Sequence, residues 1–375
     1  METTALLVIS VTTVAKVLLV AATGLTLASQ MSGGRNSVKG LGFYTVYVML
    51  PCLLFTKLVD TLSWELLRTC YAAMIFCALA MLIGYACGQF GKRFVPADIE
   101  GHVVLATTFQ NVVSFALSIL FSIRGVPWLD QQALDEAQSF IFIYNVVSAF
   151  FLFGGGSYII RQALERIGRS QGEAAKVKKP FFQEHIVPLM KNPPIVASIL
   201  AMVVALTPPL QAIFQMQPLA TIMSGLRTVG EGTVPLTLLV LGCNLVGDRL
   251  VTVPPGVPSI SPTVSPQPQG VKPDRPEVSP RTLAIFVSIV RYIVIPVVLF
   301  IVLHFFLVWK LVPDSKVFKL VMAIEFFAPS AINVSILCTL FNYKPKQYTE
   351  MLLWVYIIAI GSTTVWMAFS LWYIG

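Results

Sequence analysis

Charge is what this sequence lacks. Only 12% of its 375 residues are Asp, Glu, Lys or Arg, about half the share that coats a soluble globular domain. Histidine is scarce as well: His102, His185 and His304 are the three in the chain, far apart and in no zinc or iron ligand pattern. The six cysteines, Cys52, Cys70, Cys77, Cys87, Cys243 and Cys338, lie inside apolar runs without paired spacing, as small hydrophobes packed between helices do. These shortages exclude a soluble enzyme, a secreted disulfide scaffold and a metal centre, and no cofactor is expected. No nucleophile–base pattern is present either, which argues against a membrane enzyme. What the chain has in excess is apolar sequence: 56% hydrophobic residues and a mean hydropathy of +0.78. It falls into runs of about 20 residues, long enough to cross a hydrocarbon core of ~30 Å. The reading is an all-α polytopic membrane protein.

A net charge of +8 could suit nucleic acid, but its placement argues for a bilayer instead. Ten spans are expected, at 5–29, 38–60, 65–88, 99–123, 138–161, 193–212, 219–246, 283–309, 317–341 and 349–373. The first is too long, and too interrupted by Lys16, to be a cleavable signal. Most Lys and Arg fall in the connections after spans one, three, five, seven and nine, whereas the opposite side holds Lys57, Arg124, Lys310, Lys316 and Lys319. The basic side is read as cytosolic, which leaves both termini lumenal or extracellular.

The expected organisation is a first five-helix unit at 1–161, a basic cytosolic linker at 162–192, and a second five-helix unit at 193–375. The linker has apolar positions at Ala163, Leu164 and Ile167 and is expected to rest on anionic headgroups. The second unit is interrupted at 252–281 by a Pro- and Ser-rich segment, read as an extended cytosolic loop.

The chain says one thing twice. Spans two and seven each carry a Gly followed by a mid-span proline, Pro51 and Pro235. Span four reads TTFQNVVSFALSIL and span nine EFFAPSAINVSILCTLF. Both put small, hydroxylated and amide residues (Gln110, Asn111 and Ser114; Ser330, Asn333 and Ser335) where a lipid-facing helix would carry Leu, Ile or Val. Five spans per copy invert the second copy, a pattern of secondary transporters whose sites lie at broken helices near the midplane. Pro329 removes a donor and clashes one turn back, so span nine is expected to break there. Such a break is tolerated only against protein or a cavity.

With KNPPIVASILAMVVALTPPLQ (191–211), GEGTVPLTLLVLGCNL (230–245), VRYIVIPVV (290–298) and EFFAPSAINVSILCTLF (325–341), the chain resembles the auxin efflux carrier superfamily, and within it the PIN-likes branch. The resemblance implies ten helices in two inverted five-helix repeats, like bile-acid and sodium/proton transporters, with spans four and nine broken and crossing near the substrate site. It further implies a scaffold of spans one, two, six and seven, and a moving domain made of the others. Asn111 and Ser114 match the span-four polar positions, and Pro329 and Asn333 the span-nine crossover. The family's span-four proline falls on Ala116 and its second span-nine proline on Ser330, so any break in span four must rest on Gln110, Asn111 and Ser114.

Ionisable residues inside a membrane default to functional roles. Glu325, one turn before Pro329, is a candidate for substrate binding or proton coupling, or else for an ion pair with Arg291, which precedes Pro296. Lys16 reads as paired or snorkelling, and Glu231 stands one turn before Pro235. The candidate substrate set is therefore Gln110, Asn111, Ser114, Glu325, Pro329, Asn333 and Ser335, with Pro51, Pro235 and Arg291 as structural or crossover residues. Amides and helix N-termini suit a small organic anion, and the resemblance implies auxin or a similar aromatic carboxylate. The endoplasmic reticulum is the favoured membrane, the plasma membrane the second, and a homodimer the candidate assembly. Two rivals stand beside transport: a sensor or receptor with a transporter fold for a lipid or metabolite, and a sodium-coupled symporter of the bile-acid type.

Overall fold

The computed structural model describes residues 3–28, 30–31, 34–123, 126–170, 191–246 and 278–374. Among these the chain is helical throughout, with no strand beyond one isolated two-residue bridge. Six helical stretches are each long and apolar enough to cross a bilayer: Asn36–Thr61, Tyr71–Phe94, Gln131–Gly168, Leu219–Val246, Pro280–Val308 and Pro345–Ile374. A seventh is formed if Pro193–Ala205 and Pro208–Gln215, bent by 102°, count as one. This is an integral, multi-pass, all-α membrane protein.

In chain order the helices are α1 (Thr3–Ala28), α2 (Gly34–Tyr44), α3 (Leu50–Thr61), α4 (Trp64–Gly91), α5 (Glu100–Thr108), α6 (Val112–Leu120), α7 (Gln131–Phe151), α8 (Ser157–Ser170), α9 (Pro193–Ala205), α10 (Pro208–Gln215), α11 (Leu219–Glu231), α12 (Thr233–Val246), α13 (Pro280–Ile289), α14 (Ile295–Val308), α15 (Lys316–Phe326), α16 (Asn333–Leu340) and α17 (Pro345–Ile374). The expected fourth and ninth spans are both split, into α5/α6 and α15/α16. Neither half of either pair is long enough to cross a bilayer alone.

Two expected boundaries shift. The span-five helix runs through α8 to Ser170, so the first nine residues of the expected linker are helix, with Ala163 buried and Arg166 3.2 Å from Glu100. The rest of that linker, up to 190, lies outside the described residues. So does the Pro-rich loop as far as 277; its last two positions, Pro280 and Arg281, already belong to α13, where the Ser279 hydroxyl accepts from the Thr282 amide at 3.2 Å.

The mid-span prolines are absorbed rather than left as simple kinks. A π turn at Thr45–Met49 precedes Pro51, and another at Val290–Val294 precedes Pro296. A wider turn lets the chain pass a ring that has no N–H and crowds the carbonyl four residues back. At Pro235 the helix is instead interrupted at Gly232, between α11 and α12. Pro235 and Glu231 are exposed on the outer surface, and so is Lys16.

Packing divides the helices into two groups. α1 lies on α12, and α3 on α9 and α11; the second group joins α4 to α5 and α7, α6 to α7, and α13 and α15 to α17, and the groups meet where α1 and α12 pack on α17. The second group is held by rings: Phe76 of α4 meets Phe326 of α15 at 5.4 Å, Phe300 of α14 meets Phe326 at 5.4 Å, and Phe140 of α7 meets Phe318 at 5.3 Å. α4 and α5 approach so closely that a Cβ on Gly88 would stand 2.8 Å from the Val104 Cα. Gly84 meets the same helix one turn away, the small-residue spacing that lets membrane helices touch backbone to backbone.

Candidate functional site

α5 has nine residues, a rise of about 13.5 Å, and the chain breaks from helix directly after it. There Phe109 is extended (φ −99°, ψ 129°) and Asn111 leaves helical geometry (φ −84°, ψ 79°). The freed backbone groups find partners in the other broken span. Asn111 N–H donates to the Pro329 carbonyl at 2.8 Å, and Ala331 N–H donates to the Phe109 carbonyl at 2.9 Å. This short antiparallel bridge between Gln110 and Ser330 ties the two breaks to each other. Span four therefore breaks without a proline, because the span-nine segment supplies what its backbone lost.

The four helix ends at this crossing differ in sign. α5 and α15 bring their C-terminal carbonyls to it, α6 and α16 their N-terminal amides. On the carbonyl side the Ser330 hydroxyl donates to the Ala106 carbonyl at 2.7 Å. The Arg291 guanidinium, placed by the π turn of its helix, donates to the Ala328 carbonyl through Nη2 at 2.6 Å and Nε at 3.1 Å. Arg291 also donates to Gln110 Oε1 at 2.8 Å. The Gln110 amide nitrogen in turn donates to the Tyr144 hydroxyl at 2.6 Å and to Glu325 Oε2 at 3.3 Å. Arg291 and Glu325 are both fully buried, yet the ion pair expected between them does not form directly. Gln110 stands between the two side chains and bonds to both.

The amide side faces a small hollow of about 60 Å³, room for a few waters. Gln110, Asn111, Ser114 and Asn333 all line it, joined by Asn145 and Ser148 of α7 and by Thr233 and Thr237 of α12. Leu50, Leu53 and Leu54 of α3 form one side of its apolar wall, and Leu152, Phe153 and Leu238 are among the other apolar residues that line it. The hollow thus lies on the seam between the two packing groups. The Asn111 amide is fixed by donating to the Tyr356 hydroxyl at 2.7 Å, whereas neither Asn145 nor Asn333 has a side-chain hydrogen bond within the described protein. Of the first-turn N–H groups of α6 and α16, those of Val112, Val334 and Ser335 already donate to the Gln110, Ala331 and Ile332 carbonyls, so what the two helices bring to this space is chiefly the positive end of each.

Of the residues expected at the site, four line the hollow and the others stand elsewhere. Glu325 is behind Gln110, on the carbonyl side. Pro329 contributes its carbonyl to the bridge. Ser335 is buried with its hydroxyl spent on the Ile332 carbonyl at 2.8 Å. Pro51 borders the hollow only through its neighbours Leu50 and Leu53, and Pro235 faces outward. Asn145, Ser148, Thr233, Thr237 and Tyr356 were not anticipated. The first four carry a legible signal: spacings of three and four put each pair on one face of an apolar helix.

Residues 9–367 match the family described as membrane transport protein, which takes in nearly the whole chain. The chain belongs to this family, that of the auxin efflux carriers. It is a family of transporters, not of enzymes. Similar curated proteins include PIN-LIKES 1 of Arabidopsis thaliana, 21% identical over 400 residues, with 96% of this chain and 78% of that protein covered. PIN-LIKES 7 of the same plant is 22% identical over 401 residues, covering 94% of each chain. An uncharacterized transporter of Schizosaccharomyces pombe is 27% identical over 215 residues, covering 55% of this chain and 42% of its own.

Proposed function

We propose that this protein is a secondary carrier that moves a small organic anion, auxin or a similar aromatic carboxylate, across its membrane by alternating access. The observation that carries the reading is the convergence of two half-helix N-termini and the Asn111, Asn333 and Asn145 amides on one hollow at the seam. Carboxylate oxygens accept from such donors, and the partial positive charge of the helix ends favours an anion. The carbonyl ends, which would repel an anion, are turned away and covered by Arg291 and Ser330. The hydrocarbon wall of Leu50, Leu53 and Leu54 suits an aromatic body.

The wider architecture in this proposal is ten spans in two inverted five-helix repeats, the α1, α3, α9 and α12 group acting as scaffold. Matching breaks in spans four and nine, and matching prolines in spans two and seven, support it. Sliding of the other group against the scaffold widens the seam to one side and then the other, and admits a substrate larger than the hollow as it stands. The endoplasmic reticulum remains the favoured membrane and a homodimer the proposed assembly.

The test is flux of radiolabelled indole-3-acetate and a panel of other aromatic and aliphatic carboxylates into proteoliposomes, with and without a pH gradient. Uptake is expected for at least one aromatic acid, and loss of uptake in Asn111→Ala and Asn333→Ala with both variants still folded. Full activity in both variants would end the assignment of the hollow.

A further inference from the structure

The Arg291 guanidinium occupies an unusual seat. It is fully buried at the middle of a membrane protein, where a charge is expensive and is held only for a reason. It donates to the Ala328 carbonyl just past the C-terminal end of α15 and to the Gln110 side-chain oxygen. Both are neutral oxygens, the kind that bind a cation at a broken helix. A carboxylate, Glu325, stands one residue further on, reached through the Gln110 amide. Neutral carbonyl oxygens, a helix C-terminus and a nearby carboxylate together make a cation seat, and this chain fills it from its own sequence. One nitrogen of Arg291, Nη1, and one oxygen of Glu325, Oε1, are buried without partners among the described residues, so the guanidinium is not there to complete a saturated ion pair.

We propose that Arg291 is a resident cation of the crossover: it holds the seat that an ion from solution would otherwise take, and neutralises the carbonyl side so that the amide side can receive an anion. This deepens the carrier reading and rests on it for the anion, but the seat itself can be tested without any substrate. With the seat occupied by a tethered charge, no sodium is needed there. Arg291 is on this account a positioning residue, acting on the hollow through Gln110, which touches both.

Emptying the seat should leave a hole of guanidinium shape, connected to the hollow through Gln110. The experiment is thermal unfolding of the purified full chain in detergent, in sodium, choline, tetramethylammonium and methylguanidinium chlorides at equal tens-of-millimolar concentration. The wild type is expected to melt at the same temperature in all four. Arg291→Ala is expected to melt several degrees lower, and methylguanidinium alone to recover at least half of that loss, saturably. Arg291→Lys, which keeps charge but not the fork, should fall between. If Arg291→Ala yields no folded protein, purification with methylguanidinium throughout is expected to restore a monodisperse species that the other salts do not. The proposal is overturned if methylguanidinium shifts the variant no more than the wild type. It is overturned equally if sodium stabilises the wild type saturably, or if Arg291→Met melts with the wild type. These readouts involve no flux, so a failed transport assay would remove the carrier reading and leave the seat standing, and the reverse outcome would separate them as clearly.

Discussion

Gln110 holds together groups that have no direct contact. Its oxygen takes a proton donor from Arg291, and its nitrogen serves Tyr144 and Glu325. Replacing it by Leu removes an acceptor from the buried Arg291 and a donor from the buried Glu325 carboxyl, and buried polar groups left short of partners cost about 1–3 kcal/mol each, more for a charged one. Tyr144→Phe removes a single neutral acceptor, a loss of about 1 kcal/mol. The expected order of unfolding midpoints in detergent is therefore wild type, then Tyr144→Phe, then Gln110→Leu well below both; equal midpoints for the two variants would contradict the bridging role. Tyr356→Phe belongs to another class. It frees the Asn111 amide, which the Tyr356 hydroxyl now holds at 2.7 Å, without leaving a charge unpaired. A several-fold rise in the substrate concentration for half-maximal flux is expected, with little change in melting. Amides such as Asn111 and Asn333 were legible in the sequence because an apolar span gives them no ordinary place. The principal partner of Arg291 was not, since it is a main-chain carbonyl, and every residue has one. The sequence pointed to Glu325 as the partner by charge alone, and a neutral side chain turned out to lie between them.

Among the elements, the broken spans show how far local sequence reaches. Pro329 marks the span-nine break in the sequence, but span four has Ala116 where a proline was to be expected, and its break comes from pairing with the other segment. A partner two hundred residues away cannot be read from a local pattern. Helix boundaries elsewhere were legible to within a few residues, except in span five, whose helix starts at Gln131 rather than 138 and runs past Arg161 to Ser170. Glycines divide in the same way. Gly88 of α4 lies against the α5 backbone, whereas Gly225 of α11 has open space around its Cα. Gly225→Ala should raise the melting temperature slightly, since alanine favours a helix by about 1 kcal/mol over glycine. Gly88→Ala should lower it and reduce the yield of monodisperse protein, because its Cβ can be accommodated only by moving one helix backbone away from the other. The comparison is a pair of melting curves, and a gain in both variants would show that α4 and α5 are not in the close contact described.

For the whole molecule, the seam is the element that must move, and the bonds across it set which state is populated. Polar ties cross it at several points, among them Trp64 Nε1 to the Leu206 carbonyl at 2.7 Å and the Asn192 amide to the Phe153 carbonyl at 3.1 Å; a further tie joins Asn244 of α12 and Thr339 of α16, which bond in both directions, at 2.9 Å and 3.2 Å. Their chain neighbours Cys243 and Cys338 are free and fully buried, so they report on whether the seam is closed there. Hydrogen bonds between membrane helices contribute about 0.6–1.7 kcal/mol each. Losing the tie should therefore raise the population of the parted state by roughly three- to twenty-fold for each bond's worth of energy, since 1.4 kcal/mol is a factor of ten. In a background where Cys338 is the sole cysteine, the wild type is expected to react slowly with a water-soluble maleimide and Asn244→Ala several-fold faster, with unchanged melting of the helical signal. Thr339→Ala should behave like Asn244→Ala, and the double variant no worse than either, because both singles remove the same tie. If the label instead reacts at the wild-type rate in all three, the seam is held by apolar packing along α1, α12 and α17, and the parting motion must be sought at another pair of helices.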